Sequence, residues 1–543
     1  MYKPPVQEML FILNDVLEFQ HDDLDNATCE AVLDEAAKLA SDVLAPINHS
    51  GDMQGAVLKD GAVKTADGFK DAYIAYCEGG WNAVPFEPEY GGQGLPWSLA
   101  FPIQEMWQGA NMSFGLCPLL NQGAVEAILS HGSEEQKEYY LPKLISGEWT
   151  GTMNLTEPQA GSDLGLLRSK AEKQGDGSYK ITGQKIFITY GEHDLTDNIV
   201  HLVLARTPDS PEDVKGISLF IVPKILEDGS VNSVSCIGLE HKLGIHASPT
   251  CTMDFDGATG YLIGEENQGL KCMFTMMNNA RLSVGLQGVA ISERAYQHAY
   301  AYANDRVQGK SFASGERVVI AEHADVKRML LDMKARTMVG RLMSYIAAME
   351  LDKAVQGDIQ AQGVVDLLTP IVKSWCTDMA VEVTSIGVQV HGGMGFVEET
   401  GAAQYYRDAR ILPIYEGTNG IQAADLVFRK IIRTNGTAAF QMFEDMNPLV
   451  DDEHIQVLKQ ATEIILKHAQ DGNLNEVAWV SSPYLKAVSL TYGAAVLRKA
   501  EVKANDIKFE SNDYSVGEVY QYYADNILPL ALAHGYIVCN SRA

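Results

Sequence analysis

"KAEKQGDGSYKITGQKIFIT", residues 170–189, is where the texture of the chain changes. Asp176-Gly177 separates two runs in which apolar and polar residues alternate, a pattern that predicts a hairpin because Gly tolerates the left-handed backbone of a tight turn. "IVHLVLART" (199–207) and "GISLFIVP" (216–223) follow as runs of β-branched and aliphatic residues. Residues 151–260 are therefore expected to form an antiparallel β domain.

Outward from it the periodicity is helical on both sides. Upstream, Met9, Leu10, Leu13, Val16 and Leu17 recur at helical spacing, as do Ala31, Val32, Ala36, Leu39 and Leu44. "FEPEYGGQGLP" (86–96) reads as a loop, and Ser133 with Gln136 three residues on reads as a helix start. Downstream, "ADVKRMLLDMKARTMVGRLMSYIAAMELD" (324–352) puts Val326, Met329, Leu330, Met333, Leu342 and Ile346 on one broad stripe, read as core packing rather than a cofactor box. "NEVAWVSSPYLKAVSLTYGAAVLRKA" (475–500) marks a further helical unit. The expected fold class is α+β, mostly α. Its domains are an N-terminal helical domain over 1–150, the β domain over 151–260, a helical bundle over 261–440 and an extra C-terminal helical domain over 441–543.

Composition narrows the function. At 543 residues with 46% apolar and 21% charged residues, the chain reads as an ordinary soluble globular protein of several units. A net charge of −29 argues against nucleic acid or an anionic membrane as the main partner. The eight cysteines are scattered without a C-x-x-C pair, which predicts free thiols and a cytoplasmic location. Glu8 and Asp15 interrupt the apolar start, so no signal peptide is expected, and no run of about 18 apolar residues predicts a membrane span. "NILPLALAHGYIVC" (526–539), broken by Pro529 and His534, reads as a packing helix rather than an anchor.

Three segments could carry chemistry. In "MNLTEPQAGSDLG" (153–165), Thr156, Glu157, Ser162 and Asp163 flank Pro158 and Gly161; hydroxyls and open amides suit a polar heterocycle or phosphate, and equally a connection between domains. "QVHGGMGFVEETG" (389–401) has glycines that would let a backbone approach a pyrophosphate, but without a preceding strand a chance turn is as good a reading. "ILPIYEGTNGIQ" (411–422) sets one carboxylate, Glu416, on a short turn ahead of Gly417. His193 and His201 make no metal-ligand pattern, and no G-x-S-x-G is present. Composition and spacing reach no further than a multidomain ligand binder or enzyme.

Taken together, "PEYGGQGL" (88–95), "TEPQAGSD" (156–163), "GQKIFIT" (183–189), "LIGEENQGL" (262–270), "QVHGGMGF" (389–396), "RDARI" (407–411) and "IYEGTNGIQ" (414–422) resemble the acyl-CoA dehydrogenase family, in its order. The likeness is nearest to the longer bacterial members of the 3-methylmercaptopropionyl-CoA dehydrogenase type. It implies FAD bound between the β domain and the bundle, and Glu416 as the catalytic base. An alternative base position in the family precedes an arginine matched by Arg281, and here Ala280 occupies it. Cofactor contacts implied are Leu155, Thr156, Gly161, Ser162, Phe187, Ile188, Thr189, Gly417 and Thr418, with Arg306, Gln389, Gly392 and Gly393 reaching the FAD of a neighbouring subunit. Phe187 stands where a tryptophan is common. Ser162, Asn278 and Arg281 are implied substrate contacts, Asn278 replacing a frequent aspartate. The resemblance further implies an acyl-CoA substrate, an electron-transfer flavoprotein as acceptor and a homodimer. An oxidase passing electrons to oxygen, and a flavin-binding relative without catalysis, are the alternatives. The acyl group is open among 3-methylthiopropionyl, short straight chains and phenylpropionyl.

Overall fold

The Asp176-Gly177 turn forms as its residues predict. Gly177 takes φ +89° and Gln174 N–H donates to Ser178 C=O at 2.8 Å, closing Lys170–Lys173 onto Tyr179–Thr189. The computed structural model describes residues 2–504, 506–509 and 514–541, the side chains of 275, 276 and 278 excepted. The chain divides into two units, one of Asp42–Pro96 and Asn111–Ala280, the other of Met1–Ser41, Trp97–Ala110 and Arg281–Ala543.

The first unit holds the main sheet. Val57–Lys59 (β1) and Ala62–Lys64 (β2) form a small antiparallel hairpin inside the region expected to be helical; Asp60-Gly61 makes its turn. Seven more strands build one sheet: Trp149–Asn154 (β3), Lys170–Lys173 (β4), Tyr179–Thr189 (β5), Asn198–Arg206 (β6), Ile217–Pro223 (β7), Val234–Leu239 (β8) and Thr250–Ile263 (β9). Their order is β3-β6-β4-β5-β9-β7, with β8 on β9, and β7 pairs back onto β6 so that the sheet closes on itself. The expectation of an antiparallel domain needs correction: β3 runs parallel to β6, from Trp149 opposite Asn198 to Asn154 opposite Val203, and β4 meets β6 in parallel at Lys170–Arg206. The loop after β3 and the β4–β5 hairpin return the chain in its original direction before β6 begins.

β6 and β7 are buried almost without a break because each of their faces has its own core. Val200, Leu202, Leu204, Leu219 and Ile221 pack with Leu120, Ala124, Ile128, Leu141 and Leu144 from the helices Met112–His131 and Glu134–Ser146. Val203, Ala205, Phe220 and Val222 join Ile181, Met253 and Phe255 on the other side. Ser133 and Gln136 form the reciprocal cap foreseen for the second helix. His193 and His201 are core residues bonded to Thr150 and Thr152 at 2.9 and 2.8 Å, and burial pushes both down to about 3, so both are neutral.

The second unit is helical apart from a small antiparallel pair, Val307–Lys310 with Arg317–Val319. Its long helices are Ala324–Val355 and Ile359–His391, and Leu474–Ala504 packs on both. Of the foreseen stripe, Met329, Leu330, Met333 and Leu342 are buried, Val326 and Ile346 half-buried. Residues 441–543 pack into a core shared with 261–440. Leu367, Ile371, Leu426 and Val427 share one core with Ile455, Ile465, Tyr484 and Val488. Met1–Ser41 and Trp97–Ala110 group with this helical unit.

What ties those early segments in is a wholly buried charge cluster. Arg341 Nη2 reaches Glu105 at 2.6 Å and Glu293 at 2.9 Å, Arg341 Nη1 pairs with Glu8, Lys334 pairs with Glu8, and Tyr345 donates to Glu105 at 2.7 Å. Burial pushes Glu105 up, whereas Lys334 and Arg341 overcome the same burial at Glu293 and hold it at about 2. No described helix is long and apolar enough to cross a membrane, and the described cysteines are free.

Candidate active site

In the helical unit, Glu416 lies on a turn between the helices Ala402–Ala409 and Asn419–Ala424. Glu416 (φ +53°) and Gly417 (φ +83°) are consecutive left-handed residues. For glutamate that conformation costs about 1–2 kcal/mol, and such outliers persist where the surroundings over-determine them. Here they do. Thr418 caps the next helix by accepting from Ile421 N–H, Asn419 N–H returns to Pro413 C=O at 3.0 Å, and buried Gln422 donates to the Glu416 carbonyl at 3.3 Å. At φ +83° any residue larger than glycine is strained at Gly417, and its Cβ would displace Gln422 Nε2, 2.9 Å away.

Two cations flank this carboxylate. Arg281 is buried, and its guanidinium approaches Gly417. Lys373, in the middle of Ile359–His391, donates to Gly417 C=O at 2.8 Å and to Asn419 Oδ1 at 2.9 Å. Glu416 is half-buried by its surface. Surrounding protein raises its pKa above the ordinary carboxylate value, while Arg281 and then Lys373 pull the other way. Tyr415, next to it, donates to Gln287, which bonds Gln108 at 3.1 Å. A carboxylate on a rigid turn with elevated proton affinity can serve chemically as a proton acceptor.

The sheet unit brings the other expected residues together. Ile186 N–H donates to Thr156 C=O at 3.0 Å, which lays the Leu155–Asp163 loop beside the end of β5. Between Lys185 and Ile188 the pairing with β9 slips, and Phe187 takes φ +61°. This bulge turns Phe187 outward, 58% exposed, while Ile188 goes into the core and Thr189 stays half-buried. Thr156 is half-buried, Leu155 likewise, and Gly161 and Ser162 are exposed. A Cβ on Gly161 would touch nothing of the chain, so that backbone is open to a ligand. An exposed ring beside hydroxyls and open amides fits a flat polar heterocycle with a chain of oxygens, as in FAD.

Glu157 braces the loop from behind. It accepts from Lys185 Nζ (2.9 Å), Ser169 Oγ (2.6 Å), Ser169 N–H (3.0 Å), Arg168 N–H (2.7 Å) and Gln159 (2.6 Å). Burial raises its pKa, but Lys185 and these donors outweigh burial and hold it at about 2; burial brings Lys185 down to about 8.

Arg306, Gln389, Gly392 and Gly393 are all exposed in the helical unit. Tyr302, one turn before Arg306, stacks on His391 with ring centroids 4.6 Å apart, so these four residues share one end of the bundle. Met394 and Phe396 stand exposed beside them. The Asn278 side chain lies outside the described residues. Lys373, Asn419 and Gln422 escaped sequence reasoning. The detectable signal was a lysine inside the apolar run "PIVKSWC" (370–376), a place where an ammonium needs partners.

Known proteins match on the same lines. Models of the acyl-CoA dehydrogenase N-terminal, middle and C-terminal domains match residues 26–148, 152–258 and 267–430. The 3-methylmercaptopropionyl-CoA dehydrogenase of Ruegeria pomeroyi is 50% identical over 463 residues, 82% of this chain and 78% of that protein. A butyryl-CoA dehydrogenase of Syntrophomonas wolfei is 40% identical over 431 residues, 75% of this chain and 70% of that one. Among solved structures, the acyl-CoA dehydrogenase complexed with FAD from Bacillus anthracis shares the fold over 99% of this chain and 91% of its own, with a TM-score of 0.76 and 23% identity.

Proposed function

The chain belongs to the acyl-CoA dehydrogenase family, and from that premise we propose that Glu416 is the base in its FAD-dependent α,β-dehydrogenation of an acyl-CoA thioester. The observation that carries this assignment is the Glu416 turn itself: a strained, fixed carboxylate of raised proton affinity set between Arg281 and Lys373.

An unactivated α-proton is far too weakly acidic for a carboxylate, so the thioester carbonyl must be polarised as charge develops on its oxygen. The backbone N–H of Glu416 is assigned to that oxygen, and Glu416 Oε takes the α-proton. The chemistry FAD would supply there is a two-electron acceptor for the β-hydrogen and its bonding pair. On the sheet unit, Leu155, Thr156, Gly161, Ser162, Phe187, Ile188 and Thr189 would hold the cofactor, the exposed Phe187 offering it an aromatic face; on the helical unit, Gly417 and Thr418 are assigned to it. Desolvation by the bound acyl chain further favours protonation of Glu416, bringing its proton affinity nearer that of the polarised substrate. Ser162, Asn278 and Arg281 are assigned to the acyl-CoA.

The 50% identity to the Ruegeria enzyme makes 3-methylthiopropionyl-CoA the first substrate to assay, with butyryl-CoA second. Electrons pass on to an electron-transfer flavoprotein in a cytoplasmic enzyme. The exposed Met394 and Phe396 beside Arg306, Gln389, Gly392 and Gly393 support a homodimer in which that end of the bundle reaches the partner's cofactor. The test is Glu416→Gln. The variant is expected to purify yellow and to show no flavin bleaching with any acyl-CoA; normal bleaching rejects Glu416 as the base.

A further inference from the structure

Lys373 occupies an unusual position for an ammonium group. It has no solvent exposure and lies among Ile371, Val372 and Cys376, which are equally buried. Its contacts converge on the Glu416 turn: Nζ donates to the carbonyl of Gly417 and to Oδ1 of Asn419. The Asn419 amide, in turn, donates to Ser374 C=O at 3.1 Å and Asp378 Oδ1 at 2.7 Å, so one helix grips the residues on the far side of Glu416 through four hydrogen bonds. We propose that Lys373 is a positioning residue for the reaction: it clasps the left-handed Glu416-Gly417 turn and holds a positive charge beside the base, fixing both where Glu416 stands and the pH at which it accepts a proton. This rests on Glu416 being the base.

The charges around the pair are few and named. Arg281 and Lys373 act on Glu416; Glu416, Asp378 and Arg281 act on Lys373. Asp425 and Arg429 act on Arg281 from beyond, Lys486 of Leu474–Ala504 faces Asp378 at 4.0 Å, and Tyr415 adjoins Glu416. Burial brings Lys373 down to about 7 against the pull of Glu416 and Asp378. Loss of the Lys373 proton removes a positive charge beside Glu416 and so raises the proton affinity of the carboxylate further. A lysine that merely filled space in the helix packing would leave the pH dependence untouched.

The experiment compares the FAD-loaded wild type with Lys373→Met, Lys373→Gln, Lys373→Arg and Glu416→Gln, using 3-methylthiopropionyl-CoA and butyryl-CoA with a dye acceptor across pH 5.5 to 9.5. Lys373→Met and Lys373→Gln are expected to keep their flavin and to lose at least about tenfold in kcat, with KM changing less than about threefold. With the neighbouring charge gone, the acid limb of kcat is expected to move to higher pH by on the order of one unit. Lys373→Arg keeps the charge and leaves the limb in place. Should Lys373→Met not fold, Lys373→Gln, which can still donate to Gly417, carries the test. An acid limb unmoved in the neutral variants, even with kcat reduced, overturns the proposal while an inert Glu416→Gln leaves the base assignment standing. Normal bleaching in Glu416→Gln overturns both.

Discussion

Replacing Lys185 with methionine removes the counter-charge of Glu157 behind the proposed cofactor loop. Both side chains are out of solvent, Lys185 at 0% and Glu157 at 4% exposure. A carboxyl held at about 2 rather than 4.5 reports coupling of about 3 kcal/mol at neutral pH, at roughly 1.4 kcal/mol per pKa unit. Lys185 is the largest favourable contributor, and the remaining donors from Arg168, Ser169 and Gln159 keep the stranded carboxylate partly satisfied. The expected loss is therefore about 3 kcal/mol, the lower end for breaking a buried pair. In a unit of roughly 150–250 residues that lowers Tm by about 6–12 °C. The sign with pH follows from the direction of the shift. The folded value of Glu157 lies below its unfolded value, so its stabilisation is complete above about 4.5 and fades as pH falls toward about 2. Lys185, at about 8, is protonated at pH 7. Thermal unfolding followed by circular dichroism and by flavin release, at pH 7 and stepwise to pH 3, checks this. Flavin should leave early in the variant, because Lys185 also holds the Leu155 carbonyl at 3.1 Å. A Tm loss under about 2 °C at pH 7, or a gap between wild type and variant that does not narrow in acid, refutes the reasoning.

Gly417→Ala places a Cβ 2.9 Å from Gln422 Nε2 at φ +83°. It should cost about 1 kcal/mol in strain and lower kcat about tenfold or more with KM nearly unchanged, which steady-state kinetics will show. Arg341→Met leaves Glu8, Glu105 and Glu293 with Lys334 as the one cation of the cluster. A destabilisation of about 3–5 kcal/mol is expected by thermal unfolding, and a loss under about 1 kcal/mol would show that the cluster is not held together by its charges.

Local signals in the sequence were reliable. The Ser133–Gln136 cap and the Asp176-Gly177 turn depend on residues within a few positions of one another, and both formed as read. Asp60-Gly61 sent the same signal for β1–β2 and was passed over because its strands are only three residues long. Pairing at a distance was not legible: nothing between Asn154 and Asn198 announces that β3 and β6 run in the same direction. Neither did chain order foretell that Trp97–Ala110 leaves its neighbours, since its partners Arg341 and Tyr345 come more than two hundred residues later. The candidate site divides in the same way. Glu416 stood out through its surrounding motif, whereas Lys373 acquires meaning only when Gly417, 44 residues on, folds against it. Lys185 was half legible. Alternation along β5 puts it on the inward face with Tyr179 and Ile181, and Phe187 escapes the same rule through the bulge.

Glu8 and Glu105 leave the ribosome long before the cation they share. Arg341 follows Glu105 by 236 residues, roughly 10–50 seconds of translation. Through that interval both carboxylates stay hydrated, and the helices that carry them wait without a finished core. Asp42–Pro96 and Asn111–Ala280 need no such late arrival, for their strands are all made by residue 263. Made early, Glu8 and Glu105 find their shared counter-charge only once Arg341 has been added.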